Sequence, residues 1–228
     1  MTAGVITIDG PGGAGKGTVS LAVAHQLGWG YLDSGALYRV LGLSAVRKQI
    51  AFENEAAVAA EAARLGVSFG ADDPNLGVRV LLDGEEVTQE IRTEQGGKTA
   101  SQVAALPAVR TALLQRQRDF EQPPGVVADG RDMGTTVFPH AGLKIFLTAS
   151  AEERAKRRYK QLIKKGDDAN IRALQQEIEA RDRMDSERSA SPLKAADDAI
   201  TLDTTLMSID DVVSTVLAMA AERGLSAE

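Results

Sequence analysis

Short apolar runs rich in β-branched residues alternate with longer amphipathic segments along most of the chain. Each run has the length and composition of a buried strand, and most of the segments between them place apolar residues at helical spacing. The strands are predicted at residues 5–9, 29–33, 126–129, 144–148 and 199–203. Alternation of strands and helices requires a parallel sheet that helices cover on both faces. The pattern therefore predicts an α/β fold.

The helical segments have recognisable ends. Gly28 is placed to end the first helix, and Ser34 is placed to cap the second. An alanine-rich helix is expected to continue through residues 53–65, and two more helices are predicted at 94–105 and 107–120. These boundaries are predictions from capping and spacing alone.

Three further helices are predicted in the last third of the chain. One starts near residue 151, one covers 171–188, and the last is capped by Ser208. The apolar residues of the last helix are expected to face inward, namely Ile209, Val212, Val213, Val216 and Leu217.

The segment 67–92 departs from the alternation. Short β-type runs at 67–69 and 78–82, with a tight turn before 85–87, predict a small antiparallel meander. We interpret this segment as an insert in the α/β fold.

A glycine-rich turn joins the first predicted strand to the first helix. It consists of Gly10, Pro11, Gly12, Gly13, Ala14, Gly15, Lys16, Gly17 and Thr18. This unit predicts a phosphate-binding loop, because its backbone N–H groups and the helix N-terminus attract anions. Lys16 would reach the β- and γ-phosphates, and a hydroxyl at the end of the loop would help to hold Mg²⁺. The alternative is a turn that binds nothing.

A second loop rich in glycine and charge follows the strand predicted at 126–129. Its charged residues Asp129, Arg131 and Asp132 lie at the carboxyl end of that strand, where open α/β sheets bind ligands. Asp129 is therefore placed to lie beside Mg²⁺. The alternative is that Asp and Gly serve only the backbone of a turn here.

Two charged helical stretches have two interpretations each. Arg181, Asp185 and Arg188 are spaced to share one helix face, which is either a binding face or a solvated face with weak ion pairs. The basic run at 154–165 is either solvated or faces the negative charges of nucleotide substrates.

The composition limits the type of protein that this chain can be and the kinds of site that it can hold. The 228 residues are 43% hydrophobic and 25% charged, which is typical of a soluble globular protein. The absence of cysteine excludes disulfides and zinc–thiolate sites and fits a cytoplasmic location. We expect no signal peptide, because residues 1–4 lead straight into the first predicted strand. We expect no membrane span, because no apolar run approaches about 18 residues. The net charge of −6 argues against broad nucleic-acid binding.

Taken together, the motifs resemble the bacterial cytidylate kinase family nearly from end to end. The matching stretches are 8–18, 32–39, 91–93, 100–104, 109–110, 128–139, 144–147 and 181–188. Gly17, which stands where the general phosphate-loop pattern has Ser or Thr, is typical of kinases of nucleoside monophosphates. At Gly12 and Gly13, where relatives often carry a Ser, this chain lacks the hydroxyl.

The resemblance implies one phosphate-loop (P-loop) kinase unit over residues 1–228, with a five-stranded parallel sheet flanked by helices. The meander at 67–92 would be the insert on the nucleoside-monophosphate side, and residues 154–170 would form a short helical lid. The implied reaction is phosphoryl transfer from ATP-Mg²⁺ to CMP or dCMP, giving ADP and CDP or dCDP. The expected partners are these nucleotides, without nucleic acid or membrane, and we expect a cytoplasmic monomer.

The resemblance also implies a role for individual residues. ATP would be bound by the glycine-rich turn from Gly10 to Thr18 and by Arg157 and Arg158. Eight residues would bind CMP, namely Ser34, Arg39, Ser101, Arg110, Arg131, Asp132, Arg181 and Asp185. Lys16, Arg131, Arg181 and Arg188 would stabilise the transferring phosphoryl group. Thr18 would hold Mg²⁺, together with Asp129 through a water molecule.

Three rival functions stay open at this point. The nearest is the same chemistry on another acceptor, such as UMP, AMP or shikimate. A GTPase switch would need a guanine-reading Asn-Lys-x-Asp stretch, which the sequence lacks. A nucleic-acid-binding module is disfavoured by the aromatic content of 4%, which leaves few stacking platforms.

Overall fold

The computed structural model describes residues 3–73 and 77–226. It divides into two compact units. The first unit comprises Met1–Leu32 and Glu121–Glu228, and the second comprises Asp33–Phe120. The predicted insert at 67–92 lies within the second unit, and its residues 74–76 lie outside the described ranges.

Strands and helices alternate as the sequence pattern predicts. The strands are β1 (Gly4–Asp9), β2 (Gly30–Asp33), β3 (Val67–Asp73), β4 (Gly77–Leu82), β5 (Glu85–Glu86), β6 (Gly125–Gly130), β7 (Leu143–Thr148) and β8 (Ile200–Asp203). The α-helices are α1 (Lys16–Leu27), α2 (Ser34–Arg47), α3 (Glu55–Ala63), α4 (Thr88–Ile91), α5 (Glu94–Ala104), α6 (Pro107–Arg118), α7 (Ala151–Lys165), α8 (Ile171–Glu187) and α9 (Ile209–Glu222). Within the described ranges, none of these helices is both long and apolar enough to cross a membrane.

The first unit is built on a five-stranded sheet, which confirms the predicted architecture. The strand order is β2-β6-β1-β7-β8, and β1 pairs in parallel with both β6 and β7. In the register between β1 and β6, Asp9 lies opposite Gly130. These two strands therefore end side by side, and the loops that follow them start at the same edge of the sheet.

Helices α1 and α9 pack their apolar side chains against this sheet. Ile6 and Ile8 of β1 are fully buried in one core with Val23 of α1 and Val216 of α9. The inward orientation predicted for Ile209 is wrong, because this residue is 38% exposed in the first turn of α9, beside the glycine-rich loop.

Of the three predicted helix ends, Gly28 after α1 and Ser208 before α9 are confirmed, and Ser34 before α2 is wrong. Ser208 caps α9 in a reciprocal capping box with Asp211, as expected of the sequence. Ser34 is the first residue of α2 and not its cap, because the Asp33 carboxylate accepts the hydrogen bond from the Ala36 N–H at 2.9 Å. The helical segment after α2 also starts later than predicted, at Glu55.

The second unit carries the predicted meander. Strands β3, β4 and β5 form an antiparallel sheet in that order, and its buried side chains pack with α2, α3, α5 and α6 in a second core. The last part of the 67–92 segment is not β structure, because α4 occupies Thr88–Ile91.

Candidate active site

The glycine-rich turn leads directly from β1 into α1 and leaves the start of that helix open. Gly15 occupies the N-cap position with a φ of 94°, and no side chain caps the helix there. The first N–H groups of α1 therefore stay available for an anion. Gly10 has no room for a side chain, because a Cβ atom there would collide with the carbonyl oxygen of Leu147.

Lys16 is buried within the turn. Its Nζ donates a hydrogen bond to the Pro11 carbonyl oxygen at 3.0 Å and lies 3.8 Å from Asp129 Oδ1. Burial, together with the charges of Arg131 and Arg181, lowers the pKa of Lys16 to about 8, although Asp129 opposes this shift. The negative charge of a bound polyphosphate would favour the charged form of Lys16 and raise its pKa again.

Two arginines of the predicted catalytic set converge on the same turn. A Cβ atom at Gly12 would lie 3.5 Å from Arg131 Nη2 and 3.7 Å from Arg181 Nη1. The charges of both arginines also act on Lys16. Three cations from distant parts of the sequence therefore surround the turn, which is the electrostatic requirement for a polyanionic ligand.

Asp185 connects this group to Arg188. Its Oδ2 accepts a hydrogen bond from Arg131 Nε at 3.0 Å, and its Oδ1 lies 3.8 Å from Arg188 Nη1. Burial raises the pKa of a carboxyl, but the charges of Arg131, Arg181 and Arg188 outweigh it and hold the pKa of Asp185 below its usual value. Since Asp185 is only 2% exposed, its helix face is not a solvated one.

The loop after β6 differs from the predicted glycine-rich loop. The strand continues to Gly130, and Met133–Val137 forms a short π-helix. Asp132, between the two, is buried. The Asp9 carboxylate accepts hydrogen bonds from the N–H groups of Met133 and Gly134, each at 2.8 Å.

Asp9 has a role that sequence reasoning missed. It is buried at the last position of β1, and burial raises its pKa to about 7, although its two backbone hydrogen bonds oppose the shift. The only signal in the sequence was an acidic residue directly before the glycine-rich turn.

Arg154 and Asp182 were also missed. The basic run at 154–165 predicts that Arg154 is either solvated or faces a nucleotide, but Arg154 is 4% exposed and its guanidinium binds protein groups. It donates to the carbonyl oxygens of Ala149 and Gly12 at 2.9 and 3.0 Å and to both carboxylate oxygens of Asp182. The arginine thus holds the glycine-rich turn against α8.

An open cleft of about 820 Å³ borders the glycine-rich turn. Its lining residues are Gly13, Gly15, Lys16, Gly17, Thr18, Glu153, Arg157, Gln161, Thr205, Leu206, Met207, Ser208 and Ile209. Sequence reasoning did not single out Leu206 and Met207, which follow β8, and Leu206 is 97% exposed here. We refer to this space as the open cleft.

The predicted ATP and metal residues occupy different places around the open cleft. Arg157 lines it and donates to the Thr204 carbonyl oxygen at 2.6 Å, whereas Arg158 donates to Gln161 at 3.4 Å. Thr18 is exposed in the cleft. Gly17 faces Asp129, since a Cβ atom at Gly17 would lie 3.4 Å from Asp129 Oδ2.

Four of the predicted CMP-binding residues belong to the second unit. The Ser34 hydroxyl donates to Gln117 Oε1 at 2.7 Å, and Arg39 donates to the Ile91 carbonyl oxygen at 2.7 Å. Arg110 donates to the Ala104 carbonyl oxygen, and its guanidinium carbon lies 5.4 Å from the centre of the Tyr38 ring. Ser101 is buried in α5.

Comparison with known proteins agrees with the motifs. The family model described as cytidylate kinase matches residues 6–222. The cytidylate kinase of Pseudomonas paraeruginosa is 60% identical over 220 residues, which cover 96% of each chain. That of Stutzerimonas stutzeri is 56% identical over 97% of each chain, and that of Aeromonas salmonicida is 56% identical over 96% of this chain and 94% of the relative. The resemblance inferred from the motifs is thus confirmed, and the chain belongs to the cytidylate kinase family.

Proposed function

We propose that the protein transfers the γ-phosphoryl group of ATP to CMP or dCMP and releases ADP and CDP or dCDP. The observation that carries the proposal is the convergence of Lys16, Arg131 and Arg181 on the glycine-rich turn. Family membership supports a kinase that acts on cytidylate.

ATP is the donor in this proposal, with its phosphates in the glycine-rich turn and its nucleoside in the open cleft. The open N-terminus of α1 and the Lys16 ammonium group suit the β- and γ-phosphates. The exposed Leu206 and Ile209 offer apolar surface to the base, and Arg157 adds a cation. Arg158 is assigned to ATP through the family resemblance.

The residues present fit a magnesium ion. Mg²⁺ in kinases uses one or two carboxylates together with substrate phosphates, and Asp129 is a buried carboxylate beside Lys16. Asp129 would hold the ion through a water molecule, and Thr18 would contribute its hydroxyl. When bound, the ion would neutralise charge on the phosphates.

The acceptor phosphate carries its own nucleophilic oxygen. Its second pKa is about 6, so it is mostly a dianion at neutral pH and needs no general base. One of its oxygens forms a bond to the γ-phosphorus while the bond from that phosphorus to the bridging oxygen of ADP breaks. The protein therefore has to align two polyanions and stabilise the charge between them.

The cations around the turn suit this task. In our proposal Lys16, Arg131, Arg181 and Arg188 stabilise the transferring group, and Asp185 keeps two of these arginines aligned. The acceptor would be bound by Ser34, Arg39, Ser101, Arg110, Arg131, Asp132, Arg181 and Asp185. The basic segment 154–170 would act as a lid that excludes water once both nucleotides are bound.

A coupled assay of ADP release tests the proposal directly. Purified protein is supplied with ATP-Mg²⁺ and, in turn, with CMP, dCMP, UMP, AMP and shikimate. We expect strong turnover with CMP and dCMP only. The family resemblance implies that Ser101, Arg110 and Asp132 read the cytosine base. Turnover with a different acceptor would retain the phosphate-loop kinase and remove this assignment. The monomeric state, the cytoplasmic location and the absence of nucleic-acid binding remain predictions.

The Arg110→Met variant tests the reading of the base. We expect the KM for CMP to rise by roughly 10- to 100-fold, which corresponds to one lost charge-assisted hydrogen bond. The ratio of CMP to UMP turnover should fall as well. Arg116→Met on the same helix is the matched control, because it also removes an arginine whose guanidinium donates to a backbone carbonyl oxygen, that of Leu65. An unchanged CMP saturation curve for Arg110→Met would contradict the assignment.

Binding of the donor should be linked to proton uptake by Lys16. At pH 9 the free protein holds this lysine largely neutral, because its pKa is lowered to about 8. The phosphates of a non-hydrolysable ATP analogue should raise that pKa, so that binding takes up a proton. Calorimetry at pH 9 in two buffers of different ionisation enthalpy measures this uptake. It should shrink at pH 7, where Lys16 is already charged, and disappear in Lys16→Met.

A further inference from the structure

We propose that Asp9 is a positioning residue that fixes the backbone carrying Arg131 and Asp132 relative to the glycine-rich turn. The inference deepens the proposed function, because it concerns the alignment of residues in the same site. Asp9 itself does not touch a substrate in this proposal. It acts through the N–H groups of Met133 and Gly134, which its carboxylate binds.

The position of Asp9 in the sheet makes such a link necessary. Strands β1 and β6 pair in register as far as Asp9 and Gly130. Immediately beyond this pair, β1 leads into the glycine-rich turn at Gly10, and β6 leads to Arg131. Ladder hydrogen bonds thus fix the strands up to this point, and the Asp9 carboxylate continues the connection past the end of the paired strands.

A carboxylate suits the two donors. The first N–H groups of a helix have no carbonyl partner within the helix, and those of Met133 and Gly134 open the π-helix. Each carboxylate oxygen of Asp9 accepts one of them at 2.8 Å. An asparagine at this position has one acceptor oxygen, so one of the two N–H groups would face its NH₂ group.

The start of the π-helix has little freedom to adjust. A Cβ atom at Gly134 would lie 2.9 Å from Thr7 Oγ1 and 3.2 Å from Lys144 Cδ, so the backbone already packs tightly there. Lys144 is in turn held by the Pro139 carbonyl oxygen and by Asp198. The carboxylate therefore holds a segment that is packed on its other side.

Arg131 is held at both ends by this arrangement. Its guanidinium binds Asp185 at 3.0 Å, and its backbone lies two residues before Met133. Without the Asp9 bonds, the backbone end would be released while the guanidinium kept its partner. Small displacements of a catalytic group reduce turnover strongly, whereas substrate binding depends on many other contacts.

The test compares Asp9→Asn and Asp9→Ser with Glu61→Gln. Glu61 is a matched control, because it is a buried carboxylate, 1% exposed, which accepts hydrogen bonds from Ser44 and Lys48 in the second unit. For both Asp9 variants we expect kcat to fall by roughly 10- to 100-fold. The KM values for ATP and CMP should change by less than about threefold, since the contacts that bind substrate remain. Glu61→Gln should lower the melting temperature and leave kcat unchanged.

The outcomes separate the inference from the proposed function. Absence of CMP-dependent ADP release by the unmodified protein would contradict the proposed function. With that activity present, an unchanged kcat in the Asp9 variants, or a change confined to KM, would overturn the positioning role. Failure of both Asp9 variants to fold would assign the carboxylate to the stability of the sheet edge and would overturn it too.

Discussion

Replacement of Lys16 by alanine is expected to lower kcat by about 10³-fold, as the loss of a cation aimed at the transferring group does in a preorganised site. The ammonium group has no substitute at its position, because Lys16 Nζ is the cation held inside the turn by the Pro11 carbonyl oxygen. The ADP-release assay at saturating ATP and CMP measures the loss.

The same substitution should not destabilise the protein. Burial lowers the pKa of Lys16 from its usual 10.5 to about 8, so holding the charged form at pH 7 costs free energy of folding. This cost is present in full below about pH 8 and disappears as the pH rises from there to 10.5, the usual pKa of lysine. We therefore expect a melting temperature at pH 7 that equals or exceeds that of the unmodified protein.

Lys48→Ala is the control for this prediction. Lys48 is paired with Glu61 in the second unit, and its removal should leave kcat unchanged. Turnover of Lys16→Ala close to that of the unmodified protein would show that the turn does not bind the transferred phosphate.

The second large effect is expected for Asp185→Asn. This change leaves Arg131 and Arg188 without the carboxylate between them, and loss of one partner of a buried ion pair typically costs about 3–5 kcal/mol. Turnover should fall by about 100-fold, because Arg131 loses the acceptor that aligns its guanidinium. Denaturant unfolding and the ADP-release assay measure the two effects.

The pH dependence of stability tests whether the lost carboxylate charge causes the destabilisation of Asp185→Asn. Since the pKa of Asp185 is held below its usual value, its contribution to stability is fully present above about pH 4. It is lost as the pH falls further, so the difference in stability between the unmodified protein and Asp185→Asn should shrink there.

An exposed ion pair serves as the comparison for Asp185. Glu85→Gln removes a carboxylate that binds Arg47 on the surface, and such pairs contribute about 0–1 kcal/mol. If Asp185→Asn were no more destabilising than Glu85→Gln, the buried pairing would not support the site.

Local patterns were sufficient to predict most of the sheet and the loop. The β-branched run before Gly10 and the apolar spacing after Lys16 define β1 and α1 from neighbouring residues alone. The prediction of the α2 cap is wrong by one residue. Asp33 and Ser34 are both residue types that cap helices well, and only the backbone geometry distinguishes between them.

The contacts that hold the site together lie far apart in the sequence. Asp9 and Met133 are separated by 124 positions, and Arg154 and Gly12 by 142. The hydrophobic periodicity of a single segment cannot predict a contact between residues that lie so far apart in the sequence. The spacing of Arg181 and Asp185 placed them on one helix face, but only burial distinguishes a binding face from a solvated one.

The crowding of Lys16, Arg131 and Arg181 around one turn also has a consequence for the stability of the free protein. Without a nucleotide, burial and the charges of Arg131 and Arg181 disfavour the charged form of Lys16, so this lysine lowers the stability of the free protein. Bound nucleotide offsets this effect and should protect the protein against heat and proteolysis. Lys16 therefore costs stability in the free protein and becomes favourable once a nucleotide is bound.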